Sequence, residues 1–345
     1  MHKEFRDYLT RLADHKDLGA KPAADALQQI VRGEVSSEET AAFLFGMRAK
    51  GETVEELTSF VRVMRAAAVK VDVDTKGAVD LCGTGGDHSG TFNISTAAMF
   101  VVAGAGIPVL KHGNRSVSSR CGSADVLEEL GVVVDLRKKG VEEVFKETGL
   151  AFMYAPNFHP AMKHVMPARK ALRMRTFFNI LGPLLNPAAV RRQVVGAFNL
   201  DIARTMIHIL AHLDTEKAYT VSAHDGLDEV SLTSRTELFE LQSAMVRDPV
   251  SIRPEDLGYE PSRLDDLKGG DREKNAEIIR NVLQGSSEVP HRNIVLLNSI
   301  FGIHVSGRTS SLEEARQMAE DSIDSGKAYR KLNEFAEATQ SVLKE

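Results

Sequence analysis

AVDLCGTGGDHSGTFNIST, residues 78–96, decides how this chain is read. A short apolar run is followed by glycines at 83, 85 and 86, and then by Asn93-Ile94-Ser95-Thr96 ahead of the apolar stretch AAMFVVA. Strand, glycine loop and helix in that order predict a layered α/β arrangement with a ligand site at the strand end. Glycines let backbone N–H groups approach an anion, and the unpaired N–H groups and dipole of the helix start after Ser95 favour negative charge, so Gly83-Thr84-Gly85-Gly86-Asp87 reads as a phosphate cradle. Thr91, Asn93, Ser95 and Thr96 add side-chain donors. The loop lacks the GK[ST] ending of a Walker sequence, and its spacing is not that of the dinucleotide GxGxxG. The plain alternative is a tight connection with no ligand, against which the polar helix start weighs.

Outward from this stretch, IPVLK (107–111), VVVDL (132–136), LAFMY (150–154), QVVGAFN (193–199) and AYTVS (218–222) read as further strands. Helical segments such as Val141–Thr148 and Asp201–Ala211 lie between them, which predicts a long, mostly parallel sheet. The first seventy residues differ: Phe5, Tyr8, Leu9 and Leu12, and later Val54, Leu57, Val61 and Met64, recur at helical spacing. Strand signals vanish again between about Pro160 and Asn186. The expected organisation is therefore a small helical domain and a large α/β domain, interleaved as 1–70 and 161–192 helical, 71–160 and 193–345 α/β. No internal repeat is visible, and KGGDREKN (268–275) reads as a polar loop.

At 345 residues, 43% hydrophobic and 26% charged, the chain is long enough for a large core and a second domain. A formal charge of −5 argues against nucleic acid or an anionic membrane as the main partner, so any anion site is local. Two cysteines, Cys82 and Cys121, without CxxC spacing suggest a reducing compartment. The opening MHKEFRDYLT has no apolar leader core and no segment approaches the length of a membrane span, so a cytoplasmic protein is expected.

Three more clusters carry chemistry. Lys111-His112-Gly113-Asn114-Arg115-Ser116, followed by Ser118, Ser119 and Ser123, collects anion-binding groups after an apolar strand. A solvated basic turn is the alternative, with Ser123 capping the helix ADVLEEL in either case. Asp228-Glu229 follows the strand AYTVS; adjacent carboxylates at a strand end suit Mg²⁺, which takes a few carboxylates along with waters and substrate phosphates. An isolated Asp-Glu pair is more often plain surface. The basic stretch 159–187 contains Arg169, Lys170, Arg173 and Arg175, of which one or two are expected to meet a substrate carboxylate and the rest water. His208 and His212 have zinc-pair spacing but no third ligand, and Cys82 has no histidine partner in sequence, so neither is assigned a role.

Taken together and in this order, GTGGD (83–87), NIST (93–96), KHGNRS (111–116), GSADVLEELG (122–131), FHPAMK (158–163), RTFFNILGPLLNP (175–187) and GLDE (226–229) resemble the anthranilate phosphoribosyltransferase family, from about residue 5 to residue 340. The resemblance implies the class-III phosphoribosyltransferase fold, related to pyrimidine nucleoside phosphorylases, as a cytoplasmic homodimer serving tryptophan biosynthesis. It implies transfer of 5-phosphoribose from phosphoribosyl pyrophosphate to the amine of anthranilate with two Mg²⁺ ions per active site and no covalent protein nucleophile. Carried over by position, Gly83, Gly86, Asp87, Thr91, Asn93, Ile94, Ser95, Thr96, Lys111, His112, Gly113, Asn114, Arg115, Ser116, Ser119 and Ser123 match the phosphoribosyl pyrophosphate site. Gly83, Asn114, His112, His159, Met162 and Arg169 match the anthranilate side, and Ser95, Asp228 and Glu229 the metal positions. The chain departs from the family in having Arg173 where glycine is usual and Ser222-Ala223 where a His-Gly pair is usual. A nucleoside phosphorylase of related fold and a non-catalytic nucleic-acid-binding paralogue are the competing readings; the Asp-Glu pair and Arg169 speak against the first, the acidic charge against the second.

Overall fold

A computed structural model describes residues 3–87, 89–116 and 120–343. Four helices come first: α1 (Lys3–Ala13), α2 (Ala20–Arg32), α3 (Ser37–Lys50) and α4 (Val54–Ala67). Local sequence sets their starts. Ser36 with Glu39, and Thr53 with Glu56, form reciprocal capping boxes at α3 and α4. Of the apolar stripes, Phe5, Leu12, Leu57, Val61 and Met64 are buried, so the α4 stripe faces this lobe's own core.

The α/β part follows as β1 (Asp80–Gly83), α5 (Ile94–Gly104), β2 (Val109–Gly113), α6 (Ser123–Glu129), α7 (Lys138–Thr148), β3 (Leu150–Tyr154), α8 (Ala155–Phe158), α9 (Met162–Leu172), α10 (Phe178–Leu181), β4 (Arg192–Gly196), α11 (Leu200–Ala211), β5 (Lys217–Ala223), β6 (Thr236–Gln242), β7 (Met245–Val246), β8 (Val250–Ile252), α12 (Arg272–Leu283), α13 (Val289–Val305), α14 (Leu312–Asp324) and α15 (Lys327–Val342). β1, β4 and β5 are parallel neighbours, β6 closes the sheet antiparallel to β5, and β7 and β8 pair with β6. β2 and β3 form a parallel pair beside β1, joined to it by the Val79–Val109 bridge.

The join is short because the side chain of Asp80 reaches across it, with His112 N donating to Asp80 Oδ1 at 3.4 Å and Asn186 Nδ2 to Oδ2 at 2.7 Å. Lys111 Nζ also donates to the carbonyl of Leu81.

α5 is buried nearly all round, as its apolar run requires, and packs on α13 and α15. A second core joins α1–α4 to residues 165–185, α11 and one face of β4–β6. There Phe177 stacks on Phe60 with centroids 4.4 Å apart, both rings fully buried. Truncating either ring would cost about 3–5 kcal/mol. No helix among the described residues is long and apolar enough to cross a membrane.

Three sequence expectations are corrected. VVVDL is not a strand: Val132, Val134 and Leu136 alternate inward as a strand would, yet the backbone has no ladder partner and Val133 N donates to Thr339 Oγ1 on α15 at 3.0 Å. Ser123 does not cap α6; it is the first helical residue after Gly122, and its hydroxyl donates to the carbonyl of Asn114 at 3.2 Å. KGGDREKN is a loop only to Asp271, which caps α12 by accepting from Lys274 N at 2.9 Å.

Candidate active site

The glycine loop leaves β1 at Gly83, opposite Gly196 of β4 in the register. A Cβ at Gly83 would stand 2.3 Å from Asp228 Oδ2, and one at Gly196 would stand 1.6 Å from the Asp228 carbonyl oxygen. Side chains are excluded from both strands so that the loop after β5 can cross the sheet's C-terminal edge. Asp228 Oδ2 accepts from Gly85 N at 2.7 Å, and Glu229 Oε1 accepts from Ser95 N at 3.1 Å in the first turn of α5. Lys111 Nζ donates to Ser95 Oγ at 3.2 Å. Thus Gly83, Gly85, Ser95, Lys111, Asp228 and Glu229, far apart in sequence, meet at one strand edge.

Burial raises the carboxyl pKa values of Asp228 and Glu229; Asp87 raises the first further, and Asp228 the second. Oxygen ligands of like charge held together in this way fit a hard divalent cation, which would relieve their repulsion. They do not make a closed cage: no group of three His, Cys, Asp or Glu side chains among the described residues is arranged to hold an ion unaided. The remaining ligands would be water and substrate, as Mg²⁺ prefers.

Other expected donors have protein partners. Asp87 accepts from Ser89 Oγ at 2.6 Å, and Thr91 Oγ1 lies 3.2 Å from Ser89 Oγ. Asn93 bridges two segments, donating to the Cys121 carbonyl at 3.2 Å and accepting from Asn275 at 3.0 Å. The side chains of Ile94 and Thr96 are buried in the core, leaving their backbone to the site. Gly113 backs onto Ser123, whose Oγ would lie 2.4 Å from an added Cβ. Asn114 Oδ1 accepts from Arg115 N at 2.8 Å, and Ser116 N donates to Asp125 Oδ2 at 3.1 Å. Arg115 turns to α6, where it pairs with Asp125 at 3.0 Å and Glu128 at 2.6 Å and lies over the Tyr154 ring. Ser118 and Ser119 lie outside the described residues.

Successive residues on a strand face opposite sides, so His112 points away from Lys111. Its ring meets that of His159 edge-on, centroids 5.1 Å apart, and three ring nitrogens (His112 Nε2, His159 Nδ1 and Nε2) have no close hydrogen-bond partner among the described residues. Burial pushes His112 down to about 3, with His159 adding to the effect, and His159 down to about 4, so both imidazoles are neutral. Arg169, on α9, lies over the Phe178 ring at 5.5 Å, and no carboxylate among the described residues pairs with it. Burial lowers its pKa. Met162 opens α9, half-buried against the helical core.

Of the residues set aside, His208 and His212 are exposed on and after α11. Burial pushes the Cys82 thiol up, which leaves it protonated and unsuited to nucleophilic attack. Sequence reasoning missed Asp80, Asn186 and Gly196. A lone glycine inside QVVGAFN is a recognised sign of close backbone approach and was the available signal for Gly196; Asp80 and Asn186, 106 residues apart, gave none.

Residues 6–68 match the helical bundle domain of a glycosyl transferase family, and residues 75–329 match that family's a/b domain. The anthranilate phosphoribosyltransferase of Salinibacter ruber is 49% identical over 98% of this chain and 99% of its own. That of Alkaliphilus metalliredigens is 44% identical over 97% and 98%. Among solved structures, the Thermus thermophilus enzyme superposes with a TM-score of 0.90 at 35% identity, covering 97% of this chain and 99% of that one. The Saccharomyces cerevisiae enzyme in complex with PRPP and Mg gives 0.91 at 26% identity, covering 99% of both. With the glycine loop and the carboxylate pair on one strand edge, and with relatives alike over their whole length, this chain belongs to the anthranilate phosphoribosyltransferase family.

Proposed function

We propose that this chain is a Mg²⁺-dependent anthranilate phosphoribosyltransferase, transferring 5-phosphoribose from phosphoribosyl pyrophosphate to the anthranilate amine in tryptophan biosynthesis. The observation that carries the reading is the meeting of Gly85 with Asp228 and of Ser95 with Glu229 and Lys111 at one strand edge. Asp228, Glu229 and Ser95 would hold Mg²⁺, two ions in all, which when bound would supply charge neutralisation for the pyrophosphate. The backbone amides of Gly86, Asp87 and Thr96, with Lys111, would receive the departing pyrophosphate. Arg169 holds the anthranilate carboxylate through two parallel hydrogen bonds, and Gly83, Asn114 and Met162 line the acceptor's approach.

The C1–oxygen bond of the ribose breaks with its electron pair going to pyrophosphate, and the anthranilate nitrogen attacks C1 from the opposite face. An aromatic amine is already unprotonated at neutral pH, so positioning supplies most of the rate. The proton released by the amine after attack passes to the departing pyrophosphate or to water, so no protein base is required. A homodimer built through the N-terminal helices is part of the same reading. The free thiols Cys82 and Cys121 suit the reducing cytoplasm.

The test is loss of anthranilate fluorescence in the presence of phosphoribosyl pyrophosphate and Mg²⁺, with para-aminobenzoate and uracil in parallel. Turnover of anthranilate alone is expected. Turnover of uracil alone would favour the phosphorylase reading and overturn this one.

A further inference from the structure

We propose that Arg175 is a positioning residue that couples the donor loop to the acceptor pocket, so that occupation of the glycine loop by pyrophosphate tightens anthranilate binding; this rests on the function proposed above. Arg175 lies between α9 and α10, two residues beyond the left-handed turn at Arg173. Its Nη2 donates to the Gly86 carbonyl at 2.5 Å, and its guanidinium carbon lies 4.3 Å from the centroid of the Phe198 ring. The Phe198 amide in turn donates to Thr84 Oγ1 at 3.2 Å, and the Thr84 amide donates to Gly196 O at 2.9 Å. Three segments are clasped together: the glycine loop, the turn after β4 and the joint between α9 and α10.

The clasp acts on both substrate sides. In a trans peptide the carbonyl and the N–H point in opposite directions, so fixing Gly86 O on Arg175 turns the Asp87 N–H away from it. That amide belongs to the loop assigned to the donor. Gly86 has a φ of +74°, and a Cβ there would stand 3.0 Å from Arg175 Nη2, so the close approach depends on glycine. On the other side, Thr176 N donates to Asn179 Oδ1 at 3.0 Å, and Phe177 is fully buried against Phe60, which fixes the start of α10. The next residue, Phe178, carries the ring on which Arg169 rests. Gly86, Arg175, Phe178 and Arg169 therefore form one connected path between the two assigned sites. A planar guanidinium can stack and donate at once, which an ammonium cannot do in the same geometry.

Coupling is shown by linked binding, not by connectivity. Anthranilate, followed by its own fluorescence, is titrated into enzyme and Mg²⁺ with and without saturating inorganic pyrophosphate. In the parent enzyme pyrophosphate should lower the anthranilate Kd about fivefold or more, the smaller end of ordinary coupling. Arg175→Met should bring that ratio close to one, Arg175→Lys should restore little of it, and Phe198→Leu should fall between. Because the Arg175 side chain is exposed, thermal midpoints should stay near that of the parent. A parent ratio of one, or an undiminished ratio in Arg175→Met, overturns the proposal; if that variant does not fold, undiminished ratios in both Arg175→Lys and Phe198→Leu do so. Failure of the parent to bind anthranilate under either condition would instead remove the proposed function, and the coupling with it.

Discussion

Asp228 Oδ2 accepts the Gly85 amide at 2.7 Å, which seats a carboxylate from beyond β5 directly on the glycine loop beyond β1. The contact exists because two opposed glycines, Gly83 and Gly196, leave the strand edge bare. It places the metal-binding candidate where a pyrophosphate cradled by the loop would meet it.

Asp228→Ala and Glu229→Ala should each lower turnover on the order of a hundredfold or more, the scale of losing a metal-held charge. Folding should suffer little or even gain, because both carboxyls are held above the usual carboxylate range by burial and by neighbouring carboxylates, and removing one relieves that cost at neutral pH. Kinetics and thermal melts on the same preparations check both halves. Full activity of either variant in excess EDTA would end the metal assignment.

His112 and His159 make acid stability a second test. Burial holds them at about 3 and about 4, against 6.5 for an ordinary histidine. Below pH 6.5 the unfolded chain takes up protons that the folded chain refuses. Their contribution to stability is therefore intact above about 6.5 and is lost as the pH falls towards 4. Each can contribute up to about 1.4 kcal/mol per pH unit in that window. Asp80, raised to about 6 by burial, pulls the opposite way, so the comparison with a variant isolates the imidazoles. Melting temperature plotted from pH 7 to 5 should fall less steeply for His159→Gln than for the parent; parallel lines would mean that the His159 ring protonates freely in the folded protein.

The elements legible in the sequence were those whose signals are local. Capping boxes at Ser36 and Thr53, the apolar run of α5 and the glycine loop all lie within a few residues of what they determine. VVVDL misled because alternation reports burial on one face and says nothing of a ladder partner; its apolar side faces the core while Val133 bonds to Thr339 on the last helix. The loop composition marks Arg115 as an anion ligand, but Asp125 and Glu128, ten and thirteen residues later, hold it in this conformation. Asp80 depends on Asn186, and no short-range pattern announces a buried pair so far apart in sequence.

Arg173 shows a family difference acquiring a physical meaning. It caps α9 with φ 48° and ψ 33°, a left-handed conformation in which glycine avoids the Cβ penalty, and the family usually has glycine there. Arg173→Gly should stabilise the protein by about 0.5–1 kcal/mol, the left-handed strain relieved less the extra freedom of the unfolded chain. A rise in melting temperature of about 1–3 °C is expected. A fall would mean that the arginine side chain compensates for the strain through contacts of its own.

Arg169 gives the sharpest test of the acceptor assignment. Its guanidinium rests on Phe178 at 5.5 Å, is partly desolvated, and pairs with no carboxylate among the described residues. A desolvated guanidinium without a carboxylate is poised to bind one, and anthranilate carries a carboxylate that can accept two parallel hydrogen bonds. Losing one charge-assisted interaction costs about 1.5–3 kcal/mol, so Arg169→Ala should raise the anthranilate KM roughly tenfold to a hundredfold. The KM for phosphoribosyl pyrophosphate should change little, because the loop amides and Lys111 assigned to it are untouched. Arg173, four residues on and exposed, is the internal control: Arg173→Ala removes a charge from the same segment without touching the pocket, and should leave the anthranilate KM where it was. Titrating both variants with each substrate separates recognition from general electrostatics. If Arg173→Ala raised the anthranilate KM while Arg169→Ala left it unchanged, the carboxylate would be held by Arg173 and not by Arg169.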